Sequence, residues 1–445
     1  MTDGPSAEQE RPPTPVTFLP FPGSPKNLEA PEPPEGYDPK TTEFILKTYE
    51  LCNLACTYCY MYELRDKSYL QQPAAMSYEV AEQAAVQIGE HAEEHDLENV
   101  KIIFHGGEPL LSYLLDRDYY RIVTRNFRDT LGDRADFNMQ TNGTLIAKHP
   151  EVLDMLHETG IKIGISLDGD PETHDALRIK RDGSGSFADV AAGIRTFAEW
   201  NTEGGSKSAL GLLSVINLQA DPHKVYDTLT QAEFGAASFD LLFPLAHHSL
   251  LPPGYASDYD QPGASTPYAD WLIPLYDRWA QEDAGRISIR LFRSIQRLAV
   301  GLSAKAEYVG NSFARNLTIE ANGNMALPDS YRSIGDGAIA LLDAKGQPMN
   351  VETHSIDEAA QHHKVVRYRL GKQALSATCQ KCHIVNICGA GLQANRWRDG
   401  DSLEEGGNFD NPSVYSQDLM KLILHIRTSV WGQIKEVLAK AEAPT

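Results

Sequence analysis

The stretch Phe44-Ile45-Leu46-Lys47-Thr48-Tyr49-Glu50-Leu51-Cys52-Asn53-Leu54-Ala55-Cys56-Thr57-Tyr58-Cys59 decides how the rest of this chain is read. It opens as a β-rich run, Phe44–Tyr49, and passes directly into three cysteines at x3 and x2 spacing. Three thiolates this close, in a loop that must wrap a compact object, suit three corners of a cubic four-iron cluster, with the fourth iron left open. The competing reading is zinc or buried inert thiols. Zinc completes a tetrahedron and asks for a second CxxC or CxxH pair nearby. His105 would supply a fourth ligand only from another strand end.

Beyond this stretch, short β-rich runs alternate with amphipathic ones. Strands are predicted at Phe44–Tyr49, Lys101–Phe104, Asp136–Gln140, Lys162–Leu167, Ala209–Ile216 and Phe239–Phe243, with helical stretches such as Ser77–Glu94, Pro150–Thr159 and Phe187–Trp200 between them. Six β-then-α units with near-continuous apolar strands indicate an α/β fold, a parallel sheet covered by helices. Periodicity does not separate an open sheet from a partial barrel. In barrels, chemistry gathers at the C-terminal strand ends. Two more helices are predicted at Pro267–Glu282 and Ile287–Ala299, and a last one from Asp418 to Lys440. Residues 1–40 hold 11 of the 26 prolines and read as an extended arm, with Phe18-Leu19-Pro20-Phe21 as a local docking element.

With 445 residues and 42% hydrophobic content, the chain reads as globular. No apolar run approaches the roughly 18 residues of a membrane span, so no membrane partner is expected. The N-terminus lacks a basic-then-apolar export signal, which points to a cytoplasmic protein. The formal charge of −21 argues against nucleic acid as a partner. The six cysteines fall into two tight trios, which suggests metal sites rather than a disulfide framework.

Three further motifs follow predicted strands in order: Gly106-Gly107-Glu108-Pro109, Gln140-Thr141-Asn142-Gly143 and Ser166-Leu167-Asp168-Gly169. Taken alone, each is compatible with an ordinary turn. Together with Cys-x3-Cys-x2-Cys and the aromatic Tyr58 before the last cysteine, they resemble the radical S-adenosylmethionine (SAM) superfamily over roughly residues 42–245. The resemblance implies a [4Fe-4S] cluster on Cys52, Cys56 and Cys59 with SAM bound at its open iron. It implies that Gly106, Gly107, Glu108 and Pro109 hold the methionine ammonium, and that Gln140, Asn142 and Asp168 belong to the next two SAM loops. Ser166 would contact the ribose or the methionine carboxylate, Arg178 would pair with that carboxylate, and Tyr58 would lie near adenine.

The second trio is Cys379-Gln380-Lys381-Cys382-His383, closed by Cys388. CxxCH alone matches a haem attachment pattern, but no export is signalled and the third cysteine goes unused. Half a zinc site or a redox pair also fits CxxC. Cys-x2-Cys-x5-Cys after such a barrel resembles the SPASM/twitch extension of peptide-modifying members, which implies one auxiliary [4Fe-4S] cluster. Three departures mark this chain. Pro328-Asp329-Ser330 replaces the family's turn cysteine, Leu392 stands where another is expected, and the Asp410–Ser416 stretch occupies the place of the late one. Asp329 is a candidate base or ligand. Phe44–Lys47, Thr266–Leu272 and Asn411–Tyr415 together resemble the FxsB-type branch, whose better-known activity joins an aromatic ring carbon to a nearby β-carbon as a three-residue cyclophane. Ser416 stands where that branch often has a cysteine.

The expected architecture is therefore a partial (β/α)6 TIM-like barrel followed by an α+β auxiliary-cluster extension. Its divisions are an arm at 1–41, the barrel at 42–245, a helical bridge at 246–310 and the extension at 311–445. The expected function is maturation of a ribosomally made precursor peptide, with a flavodoxin or ferredoxin as reductant. Thioether formation, epimerisation, a non-catalytic electron carrier and a zinc-ribbon interaction protein are the alternatives. With 51 residues before Cys52, a separate N-terminal peptide-recognition domain does not fit.

Overall fold

The structure is a computed structural model that describes residues 33–202, 209–261, 263–304, 306–310, 315–399 and 409–442. Most of the Pro-rich arm, with Phe18–Phe21, lies outside the described residues.

Six parallel strands run in chain order: β1 (Glu43–Tyr49), β2 (Val100–Gly106), β3 (Ala135–Thr141), β4 (Lys162–Ser166), β5 (Leu210–Val215) and β6 (Ala236–Leu242). Helices connect them: α1 (Tyr78–Glu94), α2 (Leu110–Leu115), α3 (Tyr119–Leu131), α4 (Glu151–Thr159), α5 (Pro171–Asp175), α6 (Phe187–Thr202) and α7 (Pro222–Leu229). The local signals are ordinary. Ser77 caps α1 by accepting from the Val80 amide, and Gly160, at φ 66°, ends α4 in a left-handed turn. Because strand side chains alternate, Phe44, Leu46, Ile102, Phe104, Phe137, Met139, Ile163 and Ile165 pack into one buried layer. The opposite row holds Glu43 and Lys47, Lys101 and His105, Asn138 and Gln140, and Gly164 and Ser166. This row forms the other face of the parallel sheet.

The sheet is wider than six strands. Its order is β7-β6-β5-β4-β3-β2-β1-β8-β9, with β7 at Ser288–Ile289, β8 at Asn316–Ile319 and β9 at Met325–Ala326. β8 pairs in parallel with the open edge of β1, and all four of its residues are buried. An exposed strand edge presents unpaired amides and carbonyls, and these four buried residues cover it. α8 (Pro267–Glu282) matches the expected helix, whereas the helix expected at Ile287–Ala299 is split. Ser288 and Ile289 pair with β6, and α9 is confined to Arg290–Ala299. Four short helices follow: α10 (Ile356–Gln361), α11 (His363–Arg369), α12 (Ala377–Gln380) and α13 (Val385–Cys388). The long α14 (Ser416–Glu442) then packs on α8 and α9. Among the described residues no helix is long and apolar enough to cross a membrane.

Two of the segments singled out in the sequence meet here as core. The rings of Tyr268 and Tyr415 lie 5.1 Å apart, and Asp418 accepts from the Ala269 amide at 2.8 Å. They join α8 to the start of α14. A third tie is polar. His91 accepts from the Thr41 amide at 2.9 Å through Nε2, so Nδ1 carries the proton and donates to Asp357 at 2.9 Å. With both ring nitrogens engaged, His91, His95 and Asp357 latch α1 to α10.

Candidate functional site

The cysteine loop leaves the C-terminal end of β1 and is fixed from two sides. Ala55 and Thr57 donate to the carbonyls of Ile179 and Leu177 at 2.8 and 2.9 Å, and Arg181 Nε donates to the Cys52 carbonyl at 2.9 Å. From the β2 side, the amides of Gly107 and Glu108 donate to Tyr49 and Leu51 at 2.7 and 3.0 Å. This explains the glycine pair. A Cβ on Gly106 would collide with the Tyr49 carbonyl, and one on Gly107 with the Leu51 carbonyl and the Tyr62 hydroxyl. The two glycines set the entry of the cysteine loop.

Cys52, Cys56 and Cys59 are free and half-buried. Burial, reinforced by the nearby Glu108 carboxylate, pushes Cys52 up to about 12, and burial raises Cys56 and Cys59 as well. Asn142 Nδ2 donates to Cys52 Sγ at 3.7 Å and to Asn53 Oδ1 at 2.8 Å, so the third strand end also holds the loop. Ligands of a single zinc ion sit about 3.8 Å apart, from Zn–S bonds of about 2.3 Å in a tetrahedron. Among the described residues, only His91, His95 and Asp357 bring three ligand atoms within 4.8 Å of one another, and neither cysteine trio does. The thiols are spaced for an object wider than one ion.

The remaining strand ends converge on the same place. Glu108 is fully buried, which raises its pKa, and it accepts from Thr141 Oγ1 at 2.7 Å, the Leu110 amide at 3.0 Å and the Asn142 amide at 2.8 Å. Its carboxylate clasps the second loop to the third, and one acceptor direction on Oε2 is left for a ligand. Pro109 starts α2. Ser166 is buried at the end of β4. Asp168 accepts from the Val215 amide at 3.0 Å and from the Tyr58 hydroxyl at 2.5 Å. Arg178 is a buried group, not a surface one: NH1 donates to Tyr58 Oη at 2.5 Å and lies 3.8 Å from Asp168, while its Nε is buried without a partner. An unsatisfied guanidinium N–H costs free energy, and a ligand carboxylate would repay it.

A second polar group flanks the cysteine loop. Lys47, fully buried on β1, pairs with Asp329 and lies 3.2 Å from His105 Nδ1. Tyr60 donates to Asp329 at 3.3 Å, and Arg332 Nε donates to its other oxygen at 2.9 Å. Burial would raise the Asp329 carboxyl, but the charges of Lys47 and Arg332 outweigh it and hold it well below the usual range. His105 is driven down to about 3 by burial and then by Lys47, so it stays neutral; Gln140 hydrogen-bonds it. Arg332 also bonds Asp66 at 2.5 Å and Glu320 at 2.7 Å. Asp329 is thus an ionised carboxylate facing the site. Tyr60 carries no motif, and Lys47 enters the sequence reading only as the end of the Phe44–Lys47 segment; its further signal is a cation within an apolar strand.

The second trio spans two short helices, with Cys379 in α12, Cys388 in α13 and Cys382 between them. Cys379 and Cys382 are half-buried, Cys388 is buried, and all three are free. No disulfide uses them, and their sulfurs likewise do not all lie within 4.8 Å of one another.

Residues 46–217 match the family model described as the Radical SAM superfamily. That family uses a four-iron cluster and SAM, and the orphaned Arg178 Nε and the wide cysteine spacing fit these cofactors. The chain is 24% identical over 399 residues to the cysteine-type anaerobic sulfatase-maturating enzyme of Clostridium novyi, covering 86% of this chain and 96% of that one. A solved structure described as native anSMEcpe with bound AdoMet and Cp18Cys peptide superposes with a TM-score of 0.66 at 20% identity, over 88% of this chain and 98% of that one. Streptococcus suis SuiB bound to precursor peptide SuiA gives 0.52 at 14% identity, over 82% and 74%. The two structural likenesses establish the fold.

Proposed function

We propose that this radical SAM chain matures a ribosomally synthesised peptide, removing a hydrogen from a side-chain β-carbon and joining that carbon to a nearby aromatic ring carbon as a three-residue cyclophane. Cys52, Cys56 and Cys59 hold the cluster, and Tyr58, Gly106, Gly107, Glu108, Pro109, Gln140, Asn142, Ser166, Asp168 and Arg178 build the SAM pocket. When bound, these cofactors supply the radical that removes the hydrogen atom. Arg178 orients SAM through its free Nε, with Tyr58 and Asp168 fixing the guanidinium plane. Arg178→Gln should lower SAM affinity about ten- to a hundred-fold, the 1.5–3 kcal/mol of a hydrogen bond to a charged group. Equilibrium binding to the reconstituted protein measures it, and unchanged affinity removes Arg178 from the pocket.

The observation that carries the crosslinking reading is the Asp329 carboxylate, held ionised beside the cysteine loop. After a carbon radical adds to a ring, one electron and one proton must leave to restore aromaticity. A ring adduct that has given up its electron is a very strong acid, so even a weakly basic carboxylate accepts the proton. Cys379, Cys382 and Cys388 would hold an auxiliary [4Fe-4S] cluster in the 311–445 extension, and that group would supply a one-electron acceptor there. A flavodoxin or ferredoxin supplies the electron that starts turnover.

The likeness to sulfatase-maturating enzymes over most of the chain favours a second reading, oxidation of a cysteine or serine side chain in a peptide. Mass and reactivity separate the two. A crosslinked product is lighter than its precursor by two hydrogens and inert to hydroxylamine, whereas an oxidised serine of the same mass is an aldehyde and reacts. Deuterium on the target β-carbon should appear in 5′-deoxyadenosine. Label arriving from an α-carbon instead would overturn the proposal in favour of epimerisation or α-thioether chemistry.

A further inference from the structure

Arg396 is a buried cation with no anion beside it. Its side chain is only slightly exposed, and among the described residues no carboxylate lies within ion-pair distance. Instead the guanidinium is held by backbone oxygens: Nε donates to Ala390 at 3.2 Å, NH1 to Ala374 at 3.5 Å, and NH2 to Gly389 and Gly391, each at 3.2 Å. Three of these carbonyls belong to the turn that follows Cys388. That turn is left-handed at three successive residues, Gly389, Ala390 and Gly391, with φ of 62°, 61° and 64°. For Ala390 this is a disfavoured conformation. Gly389 admits no side chain, because a Cβ there would collide with the Gly310 carbonyl.

Burying a guanidinium without a countercharge is costly. Its electrostatic neighbours are Tyr331, Cys379 and Cys388, so the negative charge closest to it is whatever the cysteine trio carries. A cluster on three thiolates carries net negative charge, and nearby charge tunes its potential. The two trios differ here. In the first, Glu108 acts on Cys52 and Asp168 on Cys56, and the guanidinium that acts on Cys56 and Cys59, Arg178, is itself paired with Asp168. On Cys388 the Arg396 guanidinium acts alongside the partner thiols Cys379 and Cys382.

We propose that Arg396 is the countercharge of the redox group held by Cys379, Cys382 and Cys388, a positioning residue that biases this group toward accepting an electron. The inference rests on reading the second trio as a cluster site. In the step it serves, the ring-adduct radical loses one electron to the group and one proton to Asp329, and the group passes from its oxidised to its one-electron-reduced form. Carboxylates around the first trio and an unpaired guanidinium beside the second give electron flow a direction, from the substrate toward the second site.

The test uses the full chain with Cys52, Cys56 and Cys59 replaced by Ala, so that only the second site reports. It is reconstituted with iron and sulfide and titrated under anaerobic conditions, with the reduced form followed by electron paramagnetic resonance. At the parent's midpoint, Arg396→Gln should lower the reduced-to-oxidised ratio about tenfold, which is about 59 mV for a one-electron couple. Arg396→Lys should stay near the parent. Ala374→Asp, which leaves Arg396 in place and brings a carboxylate beside it, should shift the ratio in the same direction as the Gln variant. This variant decides the matter if Arg396→Gln loads no iron. An iron-loaded Arg396→Gln or Ala374→Asp variant that keeps the parent's midpoint would overturn the inference. A parent that binds no iron would overturn the cluster reading itself.

Discussion

Replacing Cys52, Cys56 and Cys59 together with Ala is expected to abolish reductive formation of 5′-deoxyadenosine. The three thiols are the only cysteines at the mouth of the strand ends, and the loop that carries them is held at Ala55 and Thr57 by backbone hydrogen bonds that involve no sulfur. The loop should therefore keep its course between Leu177–Ile179 and the Gly106–Gly107 turn. What disappears is the ligand set, and iron–sulfur ligation depends on cysteine. Anaerobic reduction with SAM present, followed by chromatography of the nucleoside products, measures the effect. A variant that makes 5′-deoxyadenosine at the parent rate would sink the central assignment.

The second large effect is a separation of two activities. Removing Cys379, Cys382 and Cys388 should leave SAM cleavage in place and eliminate the crosslinked peptide, because the carbon radical then has no acceptor for its electron. The separation is physically reasonable: α12 and α13 contribute no side chain to the polar centre of Lys47, His105 and Asp329. Metal binding also supports folding, so the variant is first checked for the parent's circular dichroism and for iron at the first site. Full crosslinking by a folded triple variant would reduce the second cluster to a structural staple.

Much of the barrel was legible because parallel strands covered on both faces read as short apolar runs. All six expected strands appear within three residues of their predicted ends, and each SAM-type motif follows one of them. β7, β8 and β9 were not legible. They hold two, four and two residues, too few to show a period, and only the free edges beside β6 and β1 make them strands. The Thr266–Leu272 and Asn411–Tyr415 segments were singled out for their likeness to one branch. In the folded chain they meet as packing between α8 and α14.

The sequence by itself determined the cysteine spacing, the order of strands and loops, and therefore the class of chemistry, since these depend on residues close together in the chain. Only the tertiary structure decided how charges are compensated. Lys47 meets Asp329 and Tyr58 meets Arg178 across long stretches of chain, Arg332 gathers three carboxylates, and Arg396 gathers none among the described residues. The energy of a buried charge depends on what faces it in space, and linear spacing carries no record of that.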